Sequence, residues 1–440
     1  MRVVVAGAGL AGLVAALRVV QLGARVILLE KGDEPGGSFV FSSGYLWSYR
    51  DLPTYRREAP GGDAGLQRLI LERLEAGIGW LGGLGAPVLS RETGNPRTFG
   101  ARLEPTRTVA ALVDQLAASD GRMLTNTALK GLAVDPKGRV RGAKVVSGTR
   151  RQTVEADAVV LASGGFAANP DFVGRHITRG LGRMRLRTHP RSTGDGFLAA
   201  LEAGALESVG LDEFYGRNLP APPAGFSPEQ FVEVSQLYGR LAVALDTNGK
   251  RYADEAADWS ETSLTRATAR LPGLRAWYIL DGAGLQQRVR DREVGEMVET
   301  ASRVGGTVLR AGSIEGLADA LEGRGVPREN VLRTLGEYNA AVAEGRGGDL
   351  SPPRSEPVAP VRAPPFVAVE VAPTITHTVG GLAVDSECRV LRRQDRRPLP
   401  GLYAAGVEVG GVSVGGYTSG LASALVFGTV AAEAAFQHLS

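Results

Sequence analysis

At 440 residues and 43% apolar composition, the chain is longer than one compact core usually holds and apolar enough to build two. Its 50 Lys plus Arg nearly balance 47 Asp plus Glu, which argues against a nucleic-acid or charged-membrane partner. The single cysteine, Cys388, rules out an intrachain disulfide and a cysteine-held metal or iron–sulfur site; four scattered histidines argue against zinc, and a reducing, cytoplasmic compartment fits.

Residues 2–6 read as a short buried strand. The apolar stretch 3–17 is broken by Gly7, Gly9 and Gly12, which predicts strand, turn and helix rather than a leader peptide. No unbroken apolar run of about 18 residues occurs, so no membrane span is expected. Gly7-Ala8-Gly9-Leu10-Ala11-Gly12 is a G-x-G-x-x-G element opening a helix predicted from Leu10 to Gln21, which Gly23 ends. A second apolar strand over 24–29 closes on Glu30. Gly7 allows the tight turn, Gly9 lets the backbone approach a pyrophosphate, and Gly12 lets helix and strand pack closely. The helix start offers N–H groups and partial positive charge to phosphates, including those of Leu10 and Ala11. Glu30 can accept hydrogen bonds from ribose hydroxyls. Together these residues predict a dinucleotide site.

The next segment, from Lys31 to Gly44, carries a Gly36-Gly37 pair, then Ser38, then the small turn Ser42-Ser43-Gly44. It resembles flavoproteins of the glutathione reductase and fumarate reductase types, where such residues run beside the pyrophosphate and flavin. Residues 156–162 form an apolar strand ending at Ala162, and the turn Ser163-Gly164-Gly165 resembles the second flavoprotein signature. Between them, 129–135 and 139–147 read as a hairpin, with Leu129 a further cofactor contact.

Five more elements follow in order. They are Ser192-Thr193-Gly194-Asp195-Gly196, Asn248-Gly249-Lys250-Arg251-Tyr252 with Asp254-Glu255, Thr376-His377-Thr378-Val379-Gly380-Gly381, 400–406 ending in Gly406, and Val426-Phe427-Gly428. With them the chain resembles, over nearly its whole length, the FAD-dependent superfamily of fumarate reductase and succinate dehydrogenase flavoproteins and 3-ketosteroid dehydrogenases. The resemblance implies an α/β fold: a Rossmann-like FAD-binding domain of the glutathione-reductase type with an inserted α+β capping domain. The FAD domain is expected over 1–212 and 378–440, the cap over 213–377. Cap elements read independently: a hairpin over 241–255 with a type I′ turn at Asn248-Gly249, a strand at Ala276–Leu280, and helices over 314–321 and Arg328–Ala343, the latter opened by Pro327. A Pro-rich return linker covers 351–365. The resemblance also aims the start of the closing helix (Gly420, Leu421, Ala422) at the flavin, where a positive helix end favours the anionic reduced ring. Ser38 stands where relatives with histidyl-linked FAD carry the histidine, so the FAD is expected to be non-covalent.

The chain departs from fumarate reductases at the substrate. The position of their proton-donating arginine holds Trp259, that of a carboxylate-binding arginine holds Tyr417, and that of a substrate histidine falls near Gly216, beside Tyr215; His377 survives. A dianion would lose several charge-assisted hydrogen bonds of about 2 kcal/mol each, unless Arg217 or Arg266 compensates. Tyr417-Thr418-Ser419-Gly420-Leu421 instead resembles the Y-x-S-G-L element of 3-ketosteroid dehydrogenases, and Ser43-Gly44-Tyr45-Leu46-Trp47 resembles their S-G-G-x-W turn. This implies a neutral, apolar carbonyl substrate held by Tyr417, with Trp259, Tyr45 and Ser419 as further contacts. Tyr417 would polarise the ketone; Tyr215, Tyr252 or His377 would act as base; and flavin N5 would exchange a hydride with the neighbouring carbon.

Three alternatives stay open: an enzyme of a small carboxylate (fumarate reductase- or tricarballylate dehydrogenase-like), the flavoprotein subunit of an electron-transfer complex, and an oxygen-using oxidase. Nothing in the sequence names the electron acceptor or sets the oligomeric state. The run Arg175, Arg179, Arg183, Arg185, Arg187 and Arg191 reads as a solvated loop, Trp47 as packing, Glu255 as a partner of Arg251, and Cys388 as a redox-silent turn residue.

Overall fold

The computed structural model describes residues 1–259, 261–356 and 359–438. The chain divides into two compact units. One holds Met1–Val173, Thr188–Tyr215 and the chain from His377 on; the other holds Gly174–Arg187 and Gly216–Thr376.

The first unit is built on a six-stranded sheet. Strand β1 (Arg2–Ala6) feeds helix α1 (Leu10–Gln21), which returns to β2 (Arg25–Leu29). Beyond β2 lies β3 (Arg122–Leu124), and on the other side of β1 lies β4 (Ala158–Leu161). Helix α2 (Asp195–Glu202) follows in the chain; then β5 (Arg389–Leu391), β6 (Pro398–Ala404) and the closing helix α3 (Gly420–Gln437) complete the unit. The order is β5-β6-β4-β1-β2-β3, parallel except for β5 against β6. The four residues of β4 are all buried, the near-continuous apolar run of a strand covered on both faces. Helix α1 is apolar almost all round because it lies between the sheet and α3. A Cβ on Gly428 of α3 would come within 2.7 Å of Ala11 O, so the helices cross at backbone distance. Helix α3 is, among the described residues, the one helix long and apolar enough to cross a membrane, yet most of it is buried in this unit. Ser423, Thr429 and Glu433 interrupt its sequence, which is why it does not read as an unbroken apolar run.

The expected hairpin is present as Thr127–Val134 and Val140–Ser147, with an unforeseen third strand, Arg150–Glu155. Strand Tyr45–Tyr49 and the long helix Ala64–Gly83 were also unforeseen.

The second unit centres on strand Phe366–Thr378. Ala276–Leu280 and Val308–Ala311 pair antiparallel on its two sides. Arg185–Leu186 pairs parallel to its end, Arg185 opposite Thr374. That pairing is why 174–187 groups with the second unit rather than with the first, where the boundary at 212 put it. The basic run is correspondingly not all solvated loop. Arg185 donates to Pro220 O (3.1 Å) and Ala224 O (2.9 Å) and lies over the Phe226 ring, and Arg187 donates to Ser235 Oγ and Thr376 Oγ1. The turn at Asn248-Gly249 is not type I′, because only Gly249 has a positive φ (72°). Asp246 holds it instead, accepting from Asn248 N and Lys250 N, each at 2.9 Å. Residues 357 and 358 of the expected return linker lie outside the described residues.

Candidate active site

At the carboxyl ends of β1 and β4 the three glycines of the first turn do different work. A Cβ on Gly7 would sit 2.4 Å from Ala162 O, and one on Gly12 would sit 1.7 Å from Gly7 O. Both are demanded by packing. A Cβ on Gly9 would meet only Gly36 O, at 4.0 Å, so space is left above the backbone there. Helix α1 begins at Gly9 with no side-chain cap, leaving the N–H groups around Leu10 and Ala11 for a ligand. Glu30 sits at the end of β2, its Oε2 accepting from Ala8 N (2.9 Å) and its Oε1 from Gly32 N (2.6 Å). An open glycine, an uncapped helix start and a carboxylate at the end of the second strand fit a dinucleotide.

The other predicted cofactor residues gather around this turn or pack beneath it. Gly36 N donates to Ala8 O (2.8 Å), and Gly37 lies against Gly9. Lys31 Nζ bonds Asp195 Oδ2 (2.6 Å) and Thr193 Oγ1 (2.7 Å), tying the first motif to the T-G-D-G turn, where Gly194 has φ +85°. Ser38 Oγ bonds Thr188 Oγ1 (2.6 Å) and accepts from His189 N (3.1 Å). Gly44 N donates to Ser42 Oγ (3.1 Å), and Ser43 O accepts from Arg102. Ser163 Oγ accepts from Gly196 N (3.0 Å), and Gly164 lies beside Ser192. Gly406 packs on Ala11 and Ala424. Leu129 is a core side chain of the three-stranded hairpin sheet.

A second cluster of the same unit is aromatic. Tyr215 and Tyr417 stack at 3.7 Å between ring centroids, 6° from parallel. His377 lies 5.3 Å from Tyr215 and 6.0 Å from Tyr417. Trp47 meets Tyr417 edge-on at 5.5 Å, and Tyr49 donates its hydroxyl to Tyr417 O (2.9 Å). Trp47 and Tyr49 were missed as site residues; the alternation of Tyr45, Trp47 and Tyr49 along one strand face was the available signal. A Cβ on Gly420 would sit 2.9 Å from His377 Nε2, so the imidazole lies against the start of α3. Ser419 caps that helix, accepting from Ala422 N (3.3 Å) while donating to Tyr45 O (2.8 Å). Its hydroxyl is thus occupied as a helix cap rather than offered to a substrate, and the Ala422 N–H is taken; Gly420 and Leu421 hold the remaining first-turn N–H groups. Tyr45 lies beneath the Arg102 guanidinium, 5.4 Å away.

The remaining candidates belong to the second unit. Tyr252 hydrogen-bonds Thr268 Oγ1 (2.8 Å), and burial pushes its phenol well above the ordinary value. That makes it a poor base at neutral pH. Trp259 is exposed, with Arg290 6.0 Å over its ring. Arg217 faces Glu261 at 4.0 Å, both buried, and burial raises the Glu261 pKa while Arg217 opposes the rise. Glu255 is shared by Arg251 (2.6 Å) and Arg354 (2.8 Å), one partner more than expected. In the first unit, Cys388 is buried and its thiol pKa is raised by burial, which leaves it protonated.

The fold and these turns are those of an FAD-binding oxidoreductase. Residues 2–425 match the FAD_binding_2 family, described as an FAD binding domain, and the chain belongs to that family. It is 28% identical to the probable fumarate reductase Ifc3 of Shewanella frigidimarina, over 99% of this chain and 75% of the relative. It is 25% identical to a vinyl phenol reductase of Lactiplantibacillus plantarum, over 93% of this chain and 90% of the relative. In fold it is similar to 3-ketosteroid-Δ4-(5α)-dehydrogenase of Rhodococcus jostii RHA1, with a TM-score of 0.76, 21% identity, and 99% and 96% of the two chains covered. The chain is an FAD-dependent oxidoreductase.

Proposed function

We propose that the enzyme interconverts a carbon–carbon single and double bond conjugated to a neutral polar group, a ketone or a phenol, on a flat apolar substrate. The observation that carries this reading is the parallel stack of Tyr215 on Tyr417 beside His377. Aromatic walls favour flat apolar molecules; a dianion needs cations there instead. The vinyl phenol reductase among its relatives acts, by name, on such a molecule.

FAD supplies the two-electron redox chemistry when bound. Tyr417 donates a hydrogen bond to the substrate oxygen and stabilises the charge that develops on it. His377 and Tyr215, beside it, are the candidates to hold or accept the proton, since Tyr252 is a poor base. Gly420 and Leu421 present the positive end of α3. In this reading the first unit is an FAD domain of the glutathione-reductase type that holds FAD non-covalently. The second unit is the inserted α+β domain, and Tyr45 is a substrate contact within the first unit.

A small unsaturated carboxylate is the second reading, favoured by the relatives named fumarate reductases; Arg217 or Arg266 would then supply the cation. Tyr417→Phe separates the two. It should slow reoxidation of the reduced protein by a conjugated enone about a hundredfold and leave its FAD content unchanged. An unaltered rate would contradict the proposal.

A further inference from the structure

Glu408 lies just past β6 and is fully buried, at 0% exposure. Ser163 Oγ hydrogen-bonds its Oε1, and Gly165 N donates to the same oxygen at 3.4 Å. Ser163 Oγ also accepts from Gly196 N in the first turn of α2, at 3.0 Å. One carboxyl group therefore joins the turn after β4, the turn after β6 and the start of α2. The knot has no slack. A Cβ on Gly196 would fall 2.7 Å from Ser163 Oγ and 2.9 Å from Glu408 Oε1. The second oxygen, Oε2, is buried without a hydrogen-bond partner among the described residues. Strands β4 and β6 are neighbours in the parallel sheet, and ligands of open α/β sheets bind at the carboxyl ends of such strands.

We propose that Glu408 is a positioning residue for FAD, locking the Ser163–Gly165 turn onto the start of α2 so that both turns hold one shape beneath the cofactor. Burial raises its pKa, the Ser163 and Gly165 donors oppose the rise, and Asp195 adds to it. The direction of that shift is toward the uncharged form, which adds no negative charge near a pyrophosphate.

The test is FAD binding to apoprotein, read by quenching of flavin fluorescence, so it needs no substrate and does not depend on which substrate the enzyme takes. Glu408→Gln keeps the shape and the hydrogen bonds and should keep nearly native affinity. Glu408→Leu should lose about tenfold or more. Ser163→Ala removes the partner of Glu408 and should lose a similar amount, and combining it with Glu408→Leu should add little. Native affinity in Ser163→Ala, or equal losses in Glu408→Gln and Glu408→Leu, would overturn the proposal. Should Glu408→Leu fail to fold, Ser163→Ala with Glu408→Gln decides the matter.

Discussion

The nucleotide turn and the aromatic cluster, both in the first unit, are built by opposite means. The turn is made of backbone: Gly7, Gly9, Gly12 and Gly36 set its shape, and Glu30 and Lys31 tie it to its neighbours. The cluster is made of side chains, with Tyr215, His377, Tyr417 and Trp47 converging from four distant stretches of chain. A backbone cradle suits a cofactor shared by a whole family, because N–H groups bind phosphate whatever the side chains do. A side-chain wall suits a substrate that differs between relatives, because single replacements retune it.

The sharpest way to break this contrast lies within the glycine turn. Gly12→Ala drives a Cβ into Gly7 O and should destabilise the apoprotein by about 3 kcal/mol. Gly9→Ala places its Cβ in open space and should leave apoprotein stability nearly unchanged while weakening FAD binding. Urea unfolding of the two apoproteins checks this; equal losses would show that Gly9 also serves packing.

Lys31→Met removes the contacts to Asp195 and Thr193, whose bonds sit in a partly buried place. It should cost about 1.5 kcal/mol, measured by the same unfolding, and should leave enone reactivity per bound flavin intact. A fall in that reactivity instead would erase the division between cradle and wall.

The smallest expected effect is a pH dependence at the knot beneath the cradle. The Glu408 pKa is raised in the folded protein above its ordinary 4.5. Its proton is therefore held more tightly folded than unfolded, so the contribution is fully present below pH 4.5 and is lost as pH rises from there toward the folded value. Glu408→Gln should match the native apoprotein below that pH and gain on it at neutral pH. Parallel stability-versus-pH curves would show that folding does not raise the Glu408 pKa.

The cradle was legible because its signals are local. The G-x-G-x-x-G spacing, Glu30 and the Gly36-Gly37 pair sit within one strand–helix–strand stretch. Glu408 was not legible, because its meaning comes from Ser163 and Gly196, which only the sheet order brings together. The substrate wall was half legible. Tyr417 was found by resemblance, but its stacking on Tyr215, about two hundred residues earlier in the chain, could not be read from spacing. Helix Ala64–Gly83 was passed over although Leu66, Ile70, Leu74, Ile78 and Leu81 repeat at helical spacing and are buried. The type I′ turn was misread because Asn-Gly permits that turn without requiring it, and the Asp246 side chain selected another.

The central claim is that the enzyme takes a neutral conjugated substrate. It is tested most directly by mixing reduced protein anaerobically with two panels, 3-ketosteroid enones and 4-vinylphenol on one side, fumarate and acrylate on the other. Return of the oxidised flavin spectrum with the neutral panel alone is the predicted result. Return with fumarate or acrylate alone would contradict it and assign the substrate site to cations supplied elsewhere in the chain.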